Sequence, residues 1–225
     1  MTTQTFTASN GAFLYSPRPS STPGPTRLIV AGQHGNETGP IEALAGWSPR
    51  EGGGTCAIIA CANPLGYALN TRYCSTEADQ PREMIDMNRG WGTGLIAQNT
   101  ELWYAAIKML GGVPDIVIDL HSSAHPHTAG HRLDMGRQVL AADERALPLA
   151  VCMSRAMLPW ERDWIATLGE HREGCLHDYA ASQGAVAVTV EFDEQGKERK
   201  DRGLGVHSAL DAAMLFRPWR LENKT

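Results

Sequence analysis

His34 and Glu37, an imidazole and a carboxylate three residues apart, stand in the run Gly32-Gln33-His34-Gly35-Asn36-Glu37-Thr38-Gly39-Pro40, directly after the apolar segment Leu28-Ile29-Val30-Ala31. At a turn leaving a buried strand, with glycines that let the backbone bend sharply, such a pair can reach one metal ion. A third ligand has to come from elsewhere. His121 follows a second apolar run, Ile116-Val117-Ile118-Asp119-Leu120, so it too stands where a strand empties into a loop. Two His and one Glu leave a fourth position open for water, the arrangement expected of a hydrolytic site holding one Zn2+ per chain. Taken singly, each residue reads as an ordinary polar loop residue; the spacing, the flanking glycines and the two strand ends together argue for a site.

The elements that must position these groups alternate in type. A strand at 27–31 is followed by a short helix entered at Pro40 and stopped by Gly46, then by a second buried strand within 55–62. Strand, helix and strand at this spacing form a crossover unit, which builds parallel sheets covered by helices on both faces. Residues 63–98 read as a long, mostly polar insertion punctuated by glycine and proline, of the kind that is usually functional or disordered. A helix from Asn99 or Thr100, with Leu102, Trp103, Ala106, Ile107 and Leu110 on one face, feeds the strand at 116–120. Further helices are expected at 147–157, 176–183 and 206–216, and a continuous apolar strand at 185–190, with Glu191 the first charged side chain at its exit. The expected architecture is α/β: a three-layer α/β/α sandwich with a mainly parallel mixed sheet, ligands lying at the strand exits. Residues 1–225 are read as one domain, 1–26 as an irregular N-terminal segment in which 11–15 can form a short edge strand.

Composition excludes some partners. With a net charge of -5 and a pI near 5.9, the chain offers no electrostatic attraction for nucleic acid. It contains no apolar stretch of the roughly 20 residues that span a bilayer, and its first residues lack the pattern of a signal peptide, so a cytoplasmic location is expected. The five cysteines show no spacing of a structural zinc site or a redox dithiol, which suits reduced thiols. No Gly-x-Ser-x-Gly elbow, dinucleotide fingerprint or P-loop is present.

Four ordered pieces carry a family resemblance: His34-Gly35-Asn36-Glu37; Asn63-Pro64 followed by Asn70-Thr71-Arg72-Tyr73 and Asp86-Met87-Asn88-Arg89; Ile118-Asp119-Leu120-His121; and Thr189-Val190-Glu191. Together they resemble the zinc carboxypeptidase superfamily, most closely its succinylglutamate desuccinylase and aspartoacylase branch, over residues 28 to about 215. The resemblance implies zinc held by His34, Glu37 and His121, a substrate carboxylate gripped by Asn88 and Arg89, and a scissile carbonyl polarised by Arg72, with Arg82 as the rival for that role. It makes Glu191 the general base that activates water, with Glu194 a near neighbour. The implied activity is cleavage of an amide bond beside a substrate carboxylate in an N-acyl amino acid. A metallocarboxypeptidase or murein-peptide amidase with a short peptide substrate is the alternative, and a non-catalytic metal- or ligand-binding protein stands behind both. The sequence departs from the pattern in the imidazoles His125, His127 and His131 beyond His121, and in ending about 34 residues after Glu191, without room for the C-terminal β-domain of aspartoacylases. Tyr179 reads as a core ring rather than a substrate donor, and the oligomeric state is left open.

Overall fold

Apolar runs with no polar face need cover on both sides, and the centre of the sheet shows it. In the computed structural model, which describes residues 4–17, 23–49, 53–77, 79–123, 137–158, 164–193 and 199–218, the strands are β1 (Gln4–Thr7), β2 (Phe13–Ser16), β3 (Arg27–Ala31), β4 (Cys56–Ile59), β5 (Ile116–Ser123), β6 (Gln138–Ala141), β7 (Ile165–Leu168) and β8 (Val186–Asp193). They form one eight-stranded sheet in the order β1-β2-β4-β3-β5-β8-β6-β7. The four central strands β4, β3, β5 and β8 run parallel, while β1 with β2, β2 with β4 and β6 with β8 pair antiparallel. Every residue of β3 and β4 is buried, and side chains such as Ile29, Ile58, Ile116 and Ile118 each contribute about 2 kcal/mol of burial.

The described helices are α1 (Thr38–Ala45), α2 (Pro64–Leu69), α3 (Arg82–Ile85), α4 (Ala97–Leu110), α5 (Leu147–Met157), α6 (Leu176–Ser182) and α7 (Arg199–Leu215). α5 buries Leu149, Ala150, Met153 and Met157 on one stripe, and α7 offers Val206, Leu210 and Ala213 beside it, both in the core that also takes Leu44 of α1. On the opposite face, α4 buries Leu102, Trp103 and Ala106 in a second core with Val117, Leu176 and Ala187. This is the three-layer arrangement that the alternation of elements implied.

The differences from the sequence reading lie where signals are short. Residues 63–98 are not one loop: they contain α2, α3 and a 3-10 turn over Met87–Arg89, each too brief for a hydrophobic period to show. The N-terminal segment contains the hairpin β1–β2; β2 falls on the segment expected to be an edge strand but lies between β1 and β4, so the edge belongs to the additional strand β1. β6 and β7 are additional too, four-residue strands toward one margin of the sheet; β6 buries Val139 and Ala141 in alternation, and β7 at the edge is partly exposed throughout. α7 begins seven residues before its expected start. Among the described residues, no helix is long and apolar enough to cross a membrane.

Candidate metal centre

The chain leaves β3 for α1 through a turn whose glycines are there for geometric reasons. Gly32 has φ +66, a left-handed conformation costly for other residues, and a Cβ on Gly35 would lie 1.9 Å from the Gly66 carbonyl carbon of α2. The turn places Glu37 at the N-cap of α1, yet its carboxylate makes no capping hydrogen bond to that helix. Instead Oε1 lies 2.7 Å from His34 Nδ1, and Oε2 lies 2.8 Å from His121 Nδ1 and accepts from the Ser122 N–H at 3.0 Å. Local helix stability is given up to aim a carboxylate at two imidazoles from neighbouring strand ends.

Those strand ends, β3 and β5, flank the point where the strand order reverses, because β3 is followed along the chain by β4 on one side and later by β5 on the other. On β5 the side chains facing α4 and α6 change from Val117 to Asp119 to His121, apolar to polar as the strand emerges. The Nδ1 atoms of His34 and His121 approach to 3.1 Å, with ring centroids 4.7 Å apart. The other nitrogen of each ring faces a carboxylate. His34 Nε2 lies 3.1 Å from Asp86 Oδ1, and His121 Nε2 lies 3.0 Å from Asp119 Oδ2. A carboxylate only accepts, so each of these contacts calls for a proton on Nε2, and Glu37 likewise receives any proton on the Nδ1 atoms. A cation held by the two Nδ1 atoms and the Glu37 carboxylate would take the place of those Nδ1 protons, while the outer carboxylates keep each ring oriented. His34, Glu37 and His121 together form the one group with metal-ligand spacing among the described residues. The donor set, two nitrogens and an oxygen backed by carboxylates, fits zinc.

The electrostatics agree with this arrangement. Burial alone would raise the Glu37 carboxyl, but His34 and His121 hold it well below the usual carboxylate range. Burial alone would lower His121, yet Asp119 and Glu37 raise it well above its ordinary value. Asp86 is likewise held far below the carboxylate range against its burial, by His34, Arg72 and Arg89. Glu191 differs in direction. Burial, aided by Glu37 and Asp119, pushes it up to about 7 against the pull of His121 and His34. It pairs in register with His121 across parallel strands, which puts both side chains on one face of the sheet. A carboxylate poised near neutrality beside three candidate metal ligands suits a general base.

The remaining sequence-derived residues converge on Asp86. Its Oδ2 accepts from Arg72 Nε at 3.1 Å and from Arg82 Nε at 3.2 Å, while Oδ1 also accepts from the Asn88 N–H. Arg72 further approaches Glu37 Oε1 at 3.6 Å. Its rival Arg82 is the more exposed and makes no such approach, so the structure brings Arg72 to the centre. Asn88 is more deeply committed than expected. Its Oδ1 accepts from the Leu176 N–H at 2.9 Å, which fixes the amide with its Nδ2 lying 3.1 Å from His121 Nε2. Arg89 uses Nη1 toward the Asn88 carbonyl and Cys175 Sγ, and its guanidinium fork retains further N–H groups. Tyr179 packs edge-on against Trp103 in the core beside α4, as expected of a structural ring. His125, His127, His131 and Glu194 lie outside the described residues.

Sequence reasoning assigned no role to Asp86, Asp119, Gln33 or Trp91. Asp119 carried a usable signal, since a residue two before a ligand on a strand shares its face. Asp86 did not, because 52 residues separate it from His34.

The model of the succinylglutamate desuccinylase/aspartoacylase catalytic domain matches residues 23–214. No curated protein sequence matches the chain. Among solved structures, the chain is similar to carboxypeptidase A from Helicoverpa armigera, with a TM-score of 0.68, 14% identity, and coverage of 94% of this chain and 68% of that one. It is also similar to murein-tripeptide amidase MpaA from Escherichia coli O157, with a TM-score of 0.64, 16% identity, and coverage of 96% and 93%. A metallo-carboxypeptidase from Burkholderia cenocepacia gives 0.65 and 17%, with coverage of 94% of this chain and 64% of that one. At such identities the likeness is one of fold.

Proposed function

The chain belongs to the succinylglutamate desuccinylase/aspartoacylase catalytic-domain family, and from that premise we propose a zinc-dependent hydrolase that cleaves the amide bond of an N-acyl amino acid beside a substrate carboxylate. The observation that carries this reading is the buried cluster of His34, Glu37 and His121 with Glu191 in register beside it. A bound zinc ion would act there as a Lewis acid on the scissile carbonyl and on water.

The chain's own residues supply the rest. Glu191 takes a proton from the attacking water and returns it to the leaving nitrogen, a role for which a carboxyl near neutrality is suited. Arg72, held by Asp86 at the edge of the centre, donates to the carbonyl oxygen as it gains charge. Arg89 offers its fork to the substrate carboxylate, with Asn88 fixing the backbone beneath it. We read residues 1–225 as one catalytic domain. The five free cysteines suit a reducing cytoplasm.

A peptide substrate is the second reading, favoured by the likeness to a murein-tripeptide amidase that the chain covers over 93% of its length. Amine release from N-acetyl and N-succinyl amino acids, measured beside carboxyl-terminal peptides and murein peptides, separates the two. Turnover confined to acyl amino acids is the expected result, and turnover confined to peptides replaces the first reading with the second. Glu191→Gln should lower turnover by about 10²- to 10⁴-fold with zinc still bound; unchanged turnover removes Glu191 from the mechanism.

A further inference from the structure

A chain of buried polar contacts leads away from the centre, and its donors and acceptors admit one orientation. Asp119 Oδ2 faces His121 Nε2, and Asp119 Oδ1 accepts from Gln33 Nε2 at 2.6 Å. Gln33 Oε1 in turn accepts from the indole N–H of Trp91. Gln33 and Asp119 are fully buried, and Trp91 and His121 nearly so. An amide can ordinarily turn either end toward a neighbour. Here the indole can only donate, so the carbonyl end of Gln33 must face Trp91 and its NH2 must face Asp119. That NH2 occupies one carboxylate oxygen and leaves the other for the ring of His121.

Trp91 belongs to the segment that carries Arg89. Its own N–H donates to the Gly174 carbonyl at 3.0 Å, and two residues later along that strap the Leu176 N–H holds Asn88. A pair of apolar side chains would fill the space of Gln33 and Trp91 without any buried polar group to satisfy. The polar pair instead ends on the carboxylate that orients a ligand.

We propose that Gln33 is a positioning residue for the metal centre: its amide ties the segment bearing Arg89 to the ligand His121, through Trp91 on one side and Asp119 on the other. A substrate carboxylate drawn onto Arg89 thereby acts on a segment mechanically linked to His121. The proposal rests on the metal reading of His34, Glu37 and His121 and is independent of which amide is cleaved.

Cobalt(II) serves as the probe, because its visible bands report ligand geometry without turnover. Titrating metal-free wild type, Trp91→Phe, Gln33→Met and the double variant with Co2+ should show each single change weakening binding about tenfold and shifting the bands. The double variant should bind no more weakly than Gln33→Met alone, since the path is already cut. Single variants that keep wild-type affinity and bands, with only a lower melting temperature, overturn the proposal, as do losses that simply add. Should Gln33→Met fail to fold, Trp91→Phe against wild type decides the matter, because that change removes the N–H and keeps an aromatic ring. A wild-type chain that takes up no cobalt overturns the metal reading together with the tether.

Discussion

The two histidines of the centre are held by carboxylates of different origin. His121 is braced by Asp119, two residues earlier on the same central strand, wholly buried and fixed in turn by Gln33. His34 is braced by Asp86, 52 residues away in the insertion between β4 and β5, where the same carboxylate also holds two partly exposed arginines. One half of the centre is therefore set by sheet register and the other by a loop that also carries the groups proposed to meet the substrate. A rigid half keeps ligand geometry constant, while a loop-borne half lets the substrate side vary without rebuilding the sheet. Glu37 belongs to both halves, since its two oxygens serve the two rings separately.

Removing what the halves share should have the largest effect. Glu37→Ala is expected to weaken zinc binding by at least about 100-fold, beyond the range usual for outer partners of a ligand, as measured by competition with a chelating dye. Near-normal affinity would mean that the two imidazoles suffice and that the carboxylate is not a ligand.

The next changes set one half against the other. Asp119→Asn and Asp86→Asn should each cost about 10- to 100-fold in zinc affinity. They should differ once zinc is saturating: Asp119→Asn leaves KM near wild type, whereas Asp86→Asn raises it, because Arg72 and Arg82 lose their common anchor. Equal KM effects in a steady-state assay would erase the distinction between a rigid half and a substrate-bearing half.

The smallest effect concerns Glu191, at the rim of the rigid half. Its folded-state value of about 7 lies above the roughly 4.3 of an unfolded Glu, so the native chain holds the extra proton between those values. Stability of the metal-free protein from this group therefore falls as pH rises through that window, and the cost is complete above about pH 7. Metal-free Glu191→Gln should be more stable than wild type by about 2 kcal/mol at pH 8, less than the full shift because the carboxylate is partly solvated, and the gain should vanish below pH 4. Chemical denaturation at both pH values measures it, and an equal gain at the two would assign the effect to packing instead of charge.

Much of this centre was legible in the chain, for reasons that differ by residue. The apolar runs before His34, His121 and Glu191 could only be buried strands, and a polar residue ending such a run emerges at the sheet's edge. The periodic stripe of α5 was equally plain, down to its ends at Leu147 and Met157. β6 and β7 were not, because four residues contain too few alternations to register and their pairing depends on a neighbour far along the chain. Asn88 lay in a recognisable motif, yet its commitment to the Leu176 N–H depends on α6 docking against that segment.

The sequence by itself determined the types of the central strands and longer helices, the parallel core and the identity of the groups that emerge at its strand ends, because hydrophobic period, glycine conformation and side-chain chemistry are local properties. Tertiary structure alone decided that Asp86 would meet His34, that Arg72 and not Arg82 would reach Glu37, and that Trp91 would fix the direction of the Gln33 amide. Those contacts join residues distant along the chain, and which distant groups meet is settled only when the sheet and its insertion pack together.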